Sequence, residues 1–204
     1  MTLKTFRIGL WVTVGVLAVV AGGIYLYQSF YPDAQRSGIA SAKLGAPFNL
    51  IDPDGKPIDQ TAFEAQPTAI FFGFTHCPEV CPTTLNELAL WLEELGPDGQ
   101  AIKPFFVTVD PKRDTPEVMK SYVSAFSDRI TGITGDPDAV AALLKAWRVY
   151  AAEVPLTDGD YTMDHTASIY LVRPDGSFQG TIAFRENPAN ALQKLRRLAE
   201  SVRS

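Results

Sequence analysis

Residues 68–95 read TAIFFGFTHCPEVCPTTLNELALWLEEL. The opening segment, Thr68–Phe74, is a short apolar run, the pattern of a buried central strand. The closing segment, Thr83–Leu95, carries leucines at 85, 88, 92 and 95, one face of a helix, and Gly96-Pro97 stops it. A buried strand that turns at once into a helix is a building unit of α/β folds. The turn between them holds Cys77 and Cys81, the only two cysteines of the chain, and His76, one of its two histidines.

Working outward, Phe48–Ile51 and Lys56–Asp59 flank Asp-Pro-Asp-Gly, a hairpin signal. Phe105–Val109 and Ile130–Thr134 read as further strands. Thr115-Pro116 opens a helix through Phe126, with a capping residue followed by proline at the first helical position. Asp136-Pro137 opens a helix ending near Trp147, and Asn187-Pro188 caps the last, with leucines at 192, 195 and 198. Ser168–Val172 and Ser177–Ala183 bracket Arg-Pro-Asp-Gly, a second hairpin. Strands alternating with helices, closed by a hairpin and a helix, predict an α/β sandwich around a mixed sheet. There is no internal repeat and no low-complexity tract.

The N-terminal end is different in kind. Residues 8–27 (IGLWVTVGVLAVVAGGIYLY) contain no charge, about the ~20 residues a helix needs to cross a bilayer. Lys4 and Arg7 precede them and no acid occurs before Asp33, so the positive-inside tendency leaves residues 1–7 in the cytoplasm or an organelle matrix. The run is longer than the apolar region of a signal peptide and ends in Tyr25, Leu26, Tyr27 and Phe30, which suits an uncleaved anchor in the lipid bilayer. Residues 28–46, ending PDAQRSGIASAKLGA, read as a linker. Residues 47–204 have the size of one domain with one core. Without Lys4 and Arg7 the chain keeps 16 basic against 23 acidic residues, a net charge of −7, which argues against nucleic acid as a partner. Export also places the cysteines where disulfides persist.

Cys-Pro-Glu-Val-Cys-Pro places a proline after each cysteine, and proline is tolerated in a helix's first turn. If the turn is helical from Cys77, Cys77 and Cys81 share one face at a helix N-terminus, where partial positive charge favours thiolate. Thiolate serves disulfide exchange and metal binding alike, so an activated dithiol, a structural disulfide and a metal site all stay open. Redox dithiols usually have two intervening residues; three leave room for an ion between the sulfurs. A third ligand would come from His76 or from His165, in Thr162-Met163-Asp164-His165-Thr166-Ala167, expected in a turn before the Ser168 strand. His76 sits at a strand end beside Cys77 and is expected to point away from the thiols. Two soft thiolates and one imidazole suit Cu(I); an added oxygen would accommodate Cu(II) or Zn²⁺. Asp164 is a candidate to orient the imidazole, or a turn cap.

Three ordered blocks, Phe72–Thr84, Val109–Pro116 (VDPKRDTP) and Asp164–Ala167, resemble the Sco/SenC family of copper-binding assembly proteins. The resemblance implies a thioredoxin-like fold, a mixed sheet flanked by helices, with an N-terminal hairpin and an insertion before the histidine. It implies copper bound by Cys77, Cys81 and His165, and delivery of copper to the CuA centre of cytochrome c oxidase subunit II, or reduction of that centre's cysteines. In the second case Cys77 and Cys81 are the redox-active pair and form a disulfide when oxidised. Another periplasmic copper chaperone is a further partner under this reading. The location implied is the inner membrane, with the domain facing the periplasm or the mitochondrial intermembrane space. Glu79 stands where the family commonly has Asp. Glu79, Asp110, Arg113 and Asp114 are candidates for contact with a partner or with the site loop, while Asp110, Arg113 and Asp114 read foremost as turn formation and helix capping.

Overall fold

The computed structural model describes residues 3–30, 44–157 and 159–202, with side chains in the first stretch described at residues 7 and 11–23. Helix α1, Leu3–Phe30, belongs to one compact unit and the remaining described residues to a second. Among the described residues no helix is long and apolar enough to cross a membrane. Of the expected anchor, the side chains of residues 8–10 and 24–27 lie outside the described residues, as do residues 31–43 of the expected linker.

The second unit begins with the hairpin, β1 (Asn49–Ile51) against β2 (Pro57–Asp59), antiparallel as its Asp-Pro-Asp-Gly turn predicts. Strand β3 (Thr68–Gly73) is buried at every residue, the result expected of an apolar run with neighbours on both faces. It pairs in parallel with β4 (Lys103–Thr108) and antiparallel with β8 (Ser168–Val172). With β5 (Thr131–Ile133) outside β4 and β9 (Phe178–Ala183) outside β8, the order is β5-β4-β3-β8-β9, a mixed five-stranded sheet. Helices α2 (Val80–Glu94), α3 (Pro97–Ala101), α4 (Pro116–Ser124), α5 (Pro137–Ala146) and α6 (Pro188–Glu200) flank it, the thioredoxin-like arrangement. Thr115, Asp136 and Asn187 each accept a backbone N–H with proline next in line, so all three predicted helix starts are in place.

The structure departs from the sequence reading at three points. Gly96, at a positive φ of 55°, ends α2, but Pro97 then opens the extra short helix α3. Helix α2 begins at Val80 and not at Cys77, which stands in the turn before it. Strands β6 (Ala151–Pro155) and β7 (Tyr161–His165) form an antiparallel ribbon of their own, so His165 ends a strand and is not in a turn. Asp158-Gly159, an ordinary hairpin pair in sequence, was the local signal for that ribbon.

Candidate metal centre

The thiols sit where β3 leaves the sheet. Cys77 N–H donates to the Phe74 carbonyl (3.3 Å), which closes the turn. Cys81 is the second residue of α2, and its N–H donates to Cys77 Sγ at 3.3 Å. Glu79, the residue before the helix, makes no side-chain cap bond, so the Cys77 sulfur takes the role that Ser or Asp oxygen plays at other helix starts. Pro82 in the same turn has no N–H to satisfy. The two sulfurs therefore meet because Cys77 caps the helix from outside, not because both residues are helical.

Gly73 makes this approach possible. A Cβ there would stand 2.8 Å from Cys81 Sγ and 2.8 Å from Phe106 Cε2, closer than real side chains come. The turn is held from the other side by Asp114, which is fully buried. Its carboxylate accepts Thr75 Oγ1–H and Thr108 Oγ1–H, both at 2.6 Å, so it ties the cysteine turn to the end of β4. Burial raises its pKa, against the threonine donors that lower it. Position 114 thus anchors the site loop, the alternative to the turn formation and capping that its type favours.

The sheet brings the distant histidine to the thiols. β8 runs antiparallel to β3 with Thr68 opposite Val172 and Phe71 opposite Ile169. His165 lies only four residues before Ile169, the last partner of β3, so the start of β8 brings it to the end of β3 and the cysteine turn. The His165 ring meets Phe74 edge-on (centroids 5.7 Å apart) and Phe71 (6.2 Å). Its Nδ1 lies 3.1 Å from the Thr166 carbonyl oxygen. A carbonyl only accepts, so Nδ1 carries the hydrogen and Nε2 presents its lone pair. Nε2 stands 3.6 Å from Cys81 Sγ, and the donor atoms of Cys77, Cys81 and His165 all lie within 4.8 Å of one another.

That donor set fits a thiophilic metal. Bonds of ~2.3 Å to sulfur and ~2.0 Å to nitrogen, at tetrahedral to trigonal angles, separate the two donors by roughly 3.5–3.7 Å. The cysteines are free thiols, Cys77 half-buried and Cys81 buried. Cys77 is the acidic one. The Cys81 thiol donates to it, and the N–H groups of Cys81 and Glu79 add to this, bringing it down to about 4 against its own partial burial. Cys81, next to that charge and buried, is pushed up. In the metal-free pair, negative charge therefore sits on Cys77 and a proton on Cys81.

The other residues singled out by sequence are placed as follows. His76 is exposed, and its Nδ1 meets Thr75 Oγ1 at 3.1 Å; it does not join the cluster. Asp164 is exposed, and the oxygen that meets Nδ1 of His165 is the Thr166 carbonyl, not the Asp164 carboxylate. Glu79 is exposed and pairs with Arg185 (2.6 Å), a contact of small energetic weight at 66% and 68% side-chain exposure. Asp110 is buried, accepting from Arg113 Nε and from Tyr161 Oη (2.9 Å), so it faces the ribbon rather than solvent.

Residues 36–200 match the SCO1/SenC family. The chain is 35% identical over 205 residues to mitochondrial protein SCO2 of Saccharomyces cerevisiae, covering 95% of this chain and 68% of that one. Several other curated relatives are longer, and the chain spans 52–60% of four of them. Among solved structures it resembles Bradyrhizobium japonicum ScoI with copper bound, at 45% identity and a TM-score of 0.69, covering 76% of this chain and 98% of that one. It likewise resembles yeast Sco1 with copper bound, at 36% identity and a TM-score of 0.69, covering 75% and 86%. With that match over most of its length, and with a Cys-Cys-His donor set of the kind that can hold copper, the chain belongs to the SCO1/SenC family.

Proposed function

We propose that this protein is a membrane-anchored copper metallochaperone in which Cys77, Cys81 and His165 hold the ion, and that it serves assembly of the CuA centre of cytochrome c oxidase subunit II. The observation that carries the reading is the convergence of two sulfurs and one imidazole nitrogen within 4.8 Å, with the imidazole tautomer already set for coordination. Similar proteins have been solved with copper bound. Two thiolates and one imidazole leave a position open on Cu(I), and the half-buried Cys77 and His165 are donors a partner reaches before the buried Cys81. Transfer then proceeds by ligand exchange: a donor of the partner enters before the last donor of this chain leaves.

The anchor reading rests on the uncharged run 8–27 and on the exposed apolar side chains of α1, among them Trp11, Leu17 and Val19. It places residues 1–7 on the cytoplasmic or matrix side, 28–46 as linker, and the 47–204 domain in the periplasm or intermembrane space. Anaerobic Cu(I) titration of the reduced protein tests the metal reading. The expected result is one ion per chain, with His165→Ala weakening binding at least about tenfold and His76→Ala leaving it nearly unchanged. Equal effects of the two substitutions would remove His165 from the ligand set.

The acidity of Cys77 favours a second activity, reduction of the target's cysteines before metal transfer. Cys77 thiolate would attack a target disulfide, and Cys81 would then resolve the mixed disulfide, leaving Cys77–Cys81 oxidised and the target dithiol reduced. Reduction of a CuA-domain disulfide that survives His165→Ala while copper loading fails would establish both activities separately.

A further inference from the structure

Among the described residues the ribbon that carries His165 hydrogen-bonds strand to strand only with itself: β6 and β7 form a two-stranded sheet separate from the five-stranded one. Such a ribbon is marginally stable in water and needs other support. Its far end begins at Tyr161, about 13 Å along the strand from His165. There it meets the loop after β4. Arg113 Nε donates to Asp110, and Nη1 donates to the Tyr161 carbonyl (2.9 Å) and to Asp160 Oδ1 (3.3 Å). The guanidinium also lies over the Tyr161 ring at 3.8 Å, and Tyr161 Oη donates to Asp110 Oδ1 at 2.9 Å. Lys112 pairs with Glu153 on the other strand of the ribbon. The deeper of these two cations is Arg113, with a side chain 17% exposed against 61% for Lys112.

Arg113 also reaches toward the metal centre. Its Cζ is 5.9 Å from the centre of the Phe74 ring, and Phe74 is the ring against which His165 stands edge-on. One of its nitrogens, Nη2, is buried without a hydrogen-bond partner, so this cation is held by its fork and by aromatic rings and is not fully satisfied by polar contacts. The cysteine turn, by contrast, takes its side-chain hydrogen bonds from Asp114, through Thr75 and Thr108, and none from the Arg113 guanidinium.

We propose that Arg113 is a positioning residue for the metal centre: it clamps the ribbon at Tyr161 and backs Phe74, and so sets where His165 Nε2 stands relative to the two sulfurs. The inference rests on the metal reading above. It implies that loss of Arg113 acts through His165 and leaves the thiol pair as it was.

A double-mutant cycle on the full chain tests this, with Cu(I) affinity measured by competition against a chromogenic chelator. Arg113→Ala is expected to weaken Cu(I) binding by about 3- to 30-fold when His165 is present, within the range for directly coupled residues, and by less than about twofold in His165→Ala protein. Arg113→Lys keeps the charge but loses the planar fork and should recover only part of the affinity. In the metal-free protein, ¹⁵N shifts of the His165 ring should move from the Nδ1–H tautomer toward the mixture of a free imidazole on Arg113→Ala, while those of His76 stay unchanged. Should Arg113→Ala fail to fold, Tyr161→Leu approaches the same clamp from the ribbon and carries the same expectations. Equal losses of affinity in both His165 backgrounds, or no loss in either, overturn the proposal. A His165→Ala chain that binds Cu(I) like the wild type would overturn the metal reading, and this one with it.

Discussion

Cys81 Sγ and His165 Nε2 stand 3.6 Å apart across 84 positions of sequence. Neither residue is placed by its neighbours alone. Cys81 is pressed against Gly73 by the first turn of α2, and His165 arrives through the antiparallel pairing of β8 with β3 and the ribbon that precedes β8. Cys77 completes the set from outside the helix. The centre is thus assembled from a strand end, a helix start and a ribbon end, and each can be tested separately.

The first prediction concerns the charge on Cys77. With its thiol at about 4, alkylation of the reduced metal-free protein at Cys77 should be nearly independent of pH from about 5.5 to 8 and fall off below about 5. Buried Cys81 should react far more slowly. Because the folded value lies below the ordinary 9.0, the Cys77 contribution to stability is present in full above about 9 and disappears as pH falls through about 4. The raised Cys81 acts in the opposite sense, favouring the fold below 9.0 and opposing it above. The pair therefore makes the reduced protein gain stability between about pH 4 and 9 and lose it beyond. Mass-spectrometric mapping of the alkylated site checks the assignment; a Cys77 rate that climbs tenfold per pH unit through 7 and 8 would refute it.

Asp114 is predicted to matter for the fold as much as for the site. Asn in its place keeps the shape but replaces one charged acceptor of two hydroxyl donors with a neutral oxygen and an amide that must itself donate. Asp114→Asn should lower the unfolding free energy by about 2–3 kcal/mol, the scale of a buried hydrogen bond to a charged group. Urea denaturation measures this. The same substitution should also raise the labelling rate of Cys81, since Thr75 no longer fastens the cysteine turn. Unchanged stability would mean that Thr75 and Thr108 find other partners.

Gly73 offers the most local test. Gly73→Ala places a methyl group into the space shared by Cys81 Sγ and Phe106, both 2.8 Å from the new carbon. Overpacking of that degree costs about 1–3 kcal/mol, and relief requires Cys81 to move away from β3. Cu(I) binding should weaken together with stability, whereas Gly55→Ala, at a site with open space around it, should reduce stability without changing affinity. Copper affinity preserved in Gly73→Ala would show that Cys81 has more freedom than its packing indicates.

Much of the fold was legible in residue order because the signals were local. The two Asp-Gly hairpins, the apolar run of β3 and the three helix starts at Thr115-Pro116, Asp136-Pro137 and Asn187-Pro188 each depend on a few adjacent residues. The ribbon showed in sequence only as the pair Asp158-Gly159, since Ala151–Pro155 and Tyr161–His165 lack a clean apolar alternation; their support comes from Arg113, Lys112 and Asp110, some forty to fifty positions earlier. The second block of the family resemblance reads as turn and cap chemistry until the sheet shows what it touches. Asp114 then proves to hold the cysteine turn, and Asp110 with Arg113 the histidine ribbon.

Two histidines competed for one place beside the thiols. The sequence by itself determined that two cysteines would stand at a helix start following a buried strand, because strand, turn and helix are written in 28 consecutive residues. Only the tertiary structure decided which imidazole completes the set. His76 is bonded to the chain next to Cys77, yet its ring turns to Thr75, while His165 is carried in by strand register and the ribbon. Coordination requires donor atoms to converge on one point, and convergence across 84 positions is a property of pairing and packing, not of adjacency.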